Sequence, residues 1–470
     1  MKSCGKKCHV FWWTILRNTE AKMKNLKVGA ASRVINCKVG DPVSGMLEPR
    51  FSDRIKDDLE ANAFYLSEGG QSVLIINCDL LYLTRNFVDK VAIKISEITN
   101  IPAESVIICC THTHSGPYTG LQSVWGPANP EYMDSLEKWL LEVAAEAVDN
   151  SVQARIGYGL GKARIGYNRR VCWKDGSHSM YGNTTNPGFA GIEGPDDPSH
   201  AVLYALDSKG RIISVIHNNA CHATTGCAFK YVSSDFPGAS RRLIRDALGY
   251  NVPLLYIQGA CGDICRFNQL KQEGLPDIEG LHDAEGRLKQ ISIMLAGETL
   301  RLLKETPVCD SSVVKHIFRE ITVGIRLPSE EMLKNAKEVV EKGSEERPTT
   351  NNIANGYNFQ KGILNLHEKY RDNPYEQVPL HALRIGGFAL ATVPCELYSQ
   401  FGIDIKRRSP AEVTAVSELA HGSLGYCPTI YGILGRGYSG ATYYGSNLEP
   451  FAGYKMVEEL SIMLYELFGK

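Results

Sequence analysis

The sequence predicts an α/β protein, a mixed and largely buried β-sheet flanked by helices, with a metal site at the strand ends. Two apolar runs, Ser72 to Asp79 and Val106 to Cys110, lack polar alternation and read as strands buried on both faces. Each is followed by a helical pattern, over Asn86 to Thr99 and Glu131 to Asn150. The second run leads into Thr111-His112-Thr113-His114-Ser115-Gly116-Pro117, which places two histidines two positions apart at a strand end. Side chains at i and i+2 of a strand share a face, so both imidazoles are expected in one cleft.

Composition bounds the reading. Of 470 residues, 43% are apolar and 22% charged, enough for a large core and against disorder. A formal net charge of -1 gives no basic face for nucleic acid. No run reaches the ~18 apolar residues of a membrane span. Lys2, Lys6 and Lys7 precede a short apolar run, Val10 to Leu16, that Arg17 ends. No small-residue cleavage site follows, so residues 1–25 read as a weakly ordered extension, with a signal anchor as the alternative. The 14 cysteines lack a C-x-x-C pair and read as buried apolar residues of a reducing compartment. A cytoplasmic protein is expected, with secretion or signal anchoring as the other reading.

In chain order, Leu26 to Ala31 opens the folded part. Gln153 to Tyr158 is a strand, 172–200 is loop-like, and Ala201 to Leu206 with Ile212 to His217 form a hairpin around Asp207-Ser208-Lys209-Gly210. Ser234-Asp235-Phe236-Pro237-Gly238 opens a helix through Leu248, with Asp235 its candidate N-cap. Pro253 to Gln258 is a strand and 284–305 a helix. A β segment, Ser312 to Val323, precedes helices over Glu330 to Lys342 and Tyr357 to Tyr370. Strands return at Pro379–Ile385 and Phe388–Val393, and a helix near Gly453 to Phe468 closes the chain. With no repeats or low-complexity linker, 26–470 reads as one domain carrying a helical insertion near 329–375.

A catalytic metal takes three or four ligands from His, Cys, Asp or Glu. Strand-end partners for His112 and His114 are His222, Glu396 and Asp79, with His200 and His421 also open and His217 more structural in character. A thiol nucleophile, Cys261 or Cys265, with one of the histidines as base is the main non-metal enzyme reading. A non-catalytic binding protein is the non-enzyme reading. Walker-type, His-Glu-x-x-His and Gly-x-Ser-x-Gly motifs are absent from the sequence.

Six ordered segments resemble the neutral/alkaline, non-lysosomal ceramidase family. They are Thr111-His112-Thr113-His114-Ser115-Gly116-Pro117, Ala220-Cys221-His222-Ala223-Thr224, Ser233-Ser234-Asp235-Phe236-Pro237-Gly238, Gln258 to Ile264, Pro394-Cys395-Glu396, and Gly425-Tyr426 with Tyr438. The resemblance spans roughly residues 26–466 and implies a zinc-dependent amidase. Carried over by position, it implies one zinc per chain held by His112, His222, Glu396 and Tyr426, with Tyr426 bonding a metal-held water as the alternative at that position. It implies catalytic and substrate-positioning roles for His114, Arg169 and Tyr438. His114 would pass a proton to the leaving amine, and Arg169 or Tyr438 would stabilise the oxyanion. Two departures stand out. Cys265 and Arg266 occupy the places of a family serine and proline. Ceramidases proper also carry a C-terminal β-sandwich domain, and this chain ends before such a segment. A small-molecule or lipid N-acyl substrate is therefore expected, ceramide-like first. Hydrolysis of a soluble non-lipid amide or ester, with Cys265 taking part, is the alternative.

Overall fold

The computed structural model describes residues 26–46, 50–120, 128–270, 283–309, 313–343 and 356–469. The expected extension over 1–25, and residues 344–355 of the expected helical insertion, lie outside the described residues.

Three sheets organise the chain. In the first, the order runs 106–110, 71–78, 60–68, 27–34, 152–153. In the second it runs 254–258, 212–219, 199–206, 155–162, 308–309. The third has four strands, 314–324, 375–385, 388–392 and 413–417. All three turn one face toward a shared core that includes Phe64, Ile75, Ile107, Leu203, Leu255, Ile257, Leu383, Phe388 and Ala415. Helices cover the opposite faces. Leu74, Ile76 and Ile108 of the first sheet pack against Val88, Val91 and Ile95 of helix Arg85–Thr99 and Leu136, Leu140 and Val143 of helix Pro130–Asp149. Helices Asp235–Leu248 and Ala284–Glu305 cover the second sheet, and Ser399–Arg408 with Ala452–Phe468 cover the third. Burial on both faces is why the strands Gln71–Cys78 and Val106–Cys110 read as unbroken apolar runs.

Pairing is mostly antiparallel, but each sheet holds one parallel pair: 71–78 with 106–110, 212–219 with 254–258, and 388–392 with 413–417. These pairs meet at their C-terminal ends. Cys109 bridges Ala420, and the Glu418 amide donates to Gln258 O at 3.0 Å. His112, His114, His222, Glu396 and Asp79 all lie in the segments that leave these ends, whereas His200 lies inside the strand 199–206.

Several expectations change. Residues 172–200 are not simply loop: strands Val171–Trp173, His178–Ser179 and Phe189–Ile192 form a small antiparallel sheet. Strands of only two to four residues leave little periodicity to read. Asp235 is not the N-cap. It is the first helical residue, at φ 53°, and its carboxylate takes bonds from Thr225 Oγ1, the Gly226 amide and the Phe236 amide. It thereby ties the helix to the turn after His222.

Candidate metal centre

His112 does not sit on a strand. The ladder ends at Cys110, and His112 takes a left-handed backbone, φ 62°, fixed by its amide donating to Leu80 O. That conformation strains a residue with a Cβ and recurs at functional sites. The two rings still meet, edge to face, with Nε2 atoms 3.3 Å apart. A turn, rather than the i, i+2 alternation of a strand, brings them together.

His222 completes a trio within one small volume, its ring centroid 4.6 Å from that of His112. In each ring Nδ1 faces a backbone carbonyl: Leu81 O for His112 (3.0 Å), Gly45 O for His114 (2.7 Å) and Cys261 O for His222 (2.7 Å). A carbonyl only accepts, so each Nδ1 carries the proton and each Nε2 lone pair is turned inward. Glu396 adds its carboxylate, Oε2 lying 3.4 Å from Nε2 of His112 and 3.2 Å from that of His222. The strand Glu396–Leu397 pairs in parallel with Tyr426–Cys427, setting Tyr426 directly beside Glu396.

Arg169 closes one side. It is 3% exposed, and its Nη2 donates to Gly262 O (2.8 Å), His222 Nε2 (3.1 Å) and Tyr426 Oη (3.3 Å). Its backbone is held by Asp263 O at 2.7 Å. Tyr438 stacks edge-on with Tyr426, ring centroids 5.5 Å apart.

The electrostatics follow from this crowding. Burial pulls His112 down, but the Glu396 carboxylate outweighs it and holds the imidazole above its ordinary value. Burial pushes the Glu396 carboxyl up, and the His112 and His222 rings reverse this, leaving it well below the usual range. Burial and then Arg169 hold His222 down to about 3. Burial, reinforced by His112 and His222, lowers His114 well below its ordinary value. Three inward lone pairs and one carboxylate around a point suit a cation. Imidazole with carboxylate is also a donor set that suits zinc.

The other candidates fall elsewhere. Asp79 is fully buried but pairs with Arg241 and accepts from the Glu60 amide, so it is a structural ion pair and not a ligand. His200 and His217 share the hydroxyl of Thr299. His421 bonds His381 and Asp89. The Cys265 thiol, pushed up to about 11 by burial, donates to Phe267 O. Cys261 Sγ lies 3.1 Å from His222 Nδ1, but that nitrogen already carries a proton and cannot accept another from the thiol. Cys261 Sγ donates instead to the Glu418 carboxylate, Oε1 lying 2.9 Å away, whereas Cys265 has no base among these contacts.

Sequence reasoning missed Glu418. Fully buried, it accepts from the amides of Cys261 (2.9 Å) and Leu397 (3.1 Å), and so fastens the segments that carry the His222 acceptor and Glu396. Its signal was present: like Asp79, it is a carboxylate that ends an apolar strand, here Val413–Ser417.

A three-sheet α/β fold with a polyhistidine–carboxylate cluster at converging strand ends defines the class. The fold is that of the neutral ceramidases. The structure superimposes on neutral ceramidase from Pseudomonas aeruginosa with a TM-score of 0.70 and 17% identity, over 94% of this chain and 75% of that one. A ceramidase complexed with C2 gives a TM-score of 0.71 at 18% identity, over the same shares of both chains. No protein-family profile and no curated protein sequence matches the chain.

Proposed function

We propose that the protein is a zinc-dependent hydrolase that cleaves the amide bond of an N-acyl compound, ceramide-like (N-acylsphingosine) first. The observation that carries this reading is the inward convergence of three Nε2 atoms and the Glu396 carboxylate, on a fold shared with ceramidases. His112, His222 and Glu396 would hold the ion, with Tyr426 beside them. A bound zinc would supply Lewis acidity and lower the pKa of a coordinated water.

The chain's own residues do the rest. His114, the half-buried member of the trio, keeps Nδ1–H on Gly45 O and has a free Nε2 lone pair. That atom can take a proton and return it to the departing amine. Arg169 places a permanent positive charge beside His222 Nε2, and with the Tyr438 hydroxyl it would stabilise charge developing on the carbonyl oxygen. The pairing of Glu396 with Tyr426 fixes the wall on which Arg169 rests.

A second reading makes His114 the third ligand, because its Nε2 lies as close to His112 as the carboxylate does. Metal content of purified His114→Ala separates the two. About one zinc per chain with turnover lost supports the proton-transfer role, and loss of the metal supports ligation. For the function itself, the test is zinc content and hydrolysis of a short-chain N-acylsphingosine by the native protein and by His112→Ala/His222→Ala. A native protein without metal would sink the reading.

A further inference from the structure

We propose that Arg50 is a positioning residue for His114, acting through the short antiparallel hairpin of Pro42–Val43 with Arg50–Phe51, whose first strand leads into Gly45. The inference rests on the proton-transfer role given to His114 above.

Arg50 is 8% exposed and has no carboxylate partner among the described residues. It spends its guanidinium on carbonyls. Nη2 donates to Ser44 O at 2.6 Å and to His114 O at 2.8 Å, and Nη1 donates to Phe229 O at 2.6 Å. Three chain segments distant in sequence are joined by one planar group. A single nitrogen bridges the backbone of residue 44 to the backbone of the histidine itself. Buried carbonyls need donors. A guanidinium serves several at fixed angles, which an ammonium on a flexible stem does not.

The next residue shows what the bridge is for. Gly45 has φ +96°, a conformation that glycine adopts freely, and this turns its carbonyl onto His114 Nδ1 at 2.7 Å. The approach is so close that a Cβ on Gly45 would lie 2.5 Å from Nδ1 and 2.6 Å from Cγ of His114. The same hairpin is pinned from its other strand, with the Ser44 amide donating to Gly116 O at 2.9 Å and Val43 bridging Pro117. Arg50 therefore fixes the 44–45 backbone against the 114 backbone. That in turn fixes the ring rotation of His114 and the tautomer that leaves Nε2 bare toward His112 and His222. The ligands His112 and His222 take their Nδ1 bonds from other segments, Leu81 and Cys261, so the bridge serves His114 alone of the three.

The test uses the full chain carrying Arg50→Met, Arg50→Lys and Gly45→Ala. Expected for Arg50→Met is a kcat about 10²-fold lower on a short-chain N-acylsphingosine, with KM and zinc content as in the native protein. Arg50→Lys, which keeps one donor nitrogen and the charge, should recover part of that loss. Gly45→Ala should reproduce it with the arginine intact, and it carries the test if Arg50→Met does not fold. A second readout needs no turnover: long-range 1H–15N spectra of the imidazoles. The His114 Nδ1–H resonance should exchange slowly in the native protein and in Arg50→Lys, and be lost in Arg50→Met. An unchanged resonance, or zinc lost in step with kcat, would overturn the proposal. A native protein that shows the resonance and its loss on mutation, yet hydrolyses no N-acyl compound, leaves the positioning intact and sinks the proposed function instead.

Discussion

Among the described residues, two clusters of three histidines differ in what the ring nitrogens face. In the first, His112, His114 and His222 each give Nδ1 to a backbone carbonyl, so three lone pairs point at one another. In the second, His316, His381 and His421 are strung in a line. His316 Nε2 meets His381 Nδ1 at 3.1 Å, His381 Nε2 meets His421 Nδ1 at 3.2 Å, and His421 Nε2 meets Asp89 Oδ1 at 2.8 Å. Fixing one proton on His421 for Asp89 orders the whole line, because each ring then accepts on one side and donates on the other. Every lone pair between the rings is spent. The same residue type thus builds a cluster suited to a cation where backbone carbonyls take one nitrogen, and a self-satisfied polar strut where neighbouring rings take both. Counting histidines does not separate the two cases, whereas tracing the partner of each Nδ1 does.

Mutations can break this contrast. The largest effect is expected at the convergent cluster, where His112→Ala/His222→Ala should lose both zinc and turnover, read by metal analysis and by assay. Next, His114→Ala should lower kcat by about 10²–10⁴ with zinc retained. Arg169→Met should cost about 10²–10³ in kcat, since it removes a charge-stabilising donor. At the linear cluster His381→Leu should leave zinc and kcat unchanged while lowering stability by about 1–3 kcal/mol, the cost of stranding buried ring nitrogens, measured by denaturant unfolding. A loss of metal in that variant would erase the distinction.

The smallest effect is a pH dependence. Burial holds His316 down to about 4, below its unfolded value of about 6.5. The unfolded chain therefore takes up the proton first on acidification. The contribution to stability is complete above pH ~6.5 and is lost as pH falls toward 4. Melting temperature against pH should show a shallower decline over that window in His316→Gln than in the native protein.

Much of the fold was legible because its elements are buried in simple ways. Helices Ala284–Glu305, Glu330–Lys342 and Tyr357–Tyr370 follow the bounds the sequence suggests, and the doubly buried strands announce themselves as apolar runs. The candidate site was legible at His112, His222 and Glu396, each near a strand end, and at Arg169 and Tyr438 through the family pattern alone. What stayed hidden works through the backbone. Arg50, and the Gly45, Leu81 and Cys261 carbonyls that orient the rings, act by atoms every residue possesses, so no side-chain pattern marks them. Asp79 misled for the opposite reason. A carboxylate at a strand end looks the same whether it faces a metal or, as here, an arginine from a helix 162 positions away.

The three parallel strand pairs, one per sheet, have a consequence for how the molecule comes apart. His112 leaves the first sheet, His222 the second and Glu396 the third, so the proposed ion would be a rivet through all three. It would close loops of 110 and 174 residues along the chain, and it can bind only when every sheet is seated. Whatever free energy it contributes belongs to the docked assembly and to no single sheet. Stripping it with a chelator should therefore loosen the seams between sheets before it melts any one of them. Backbone amides along those seams, such as Glu418 on Gln258, would be the first to exchange with solvent.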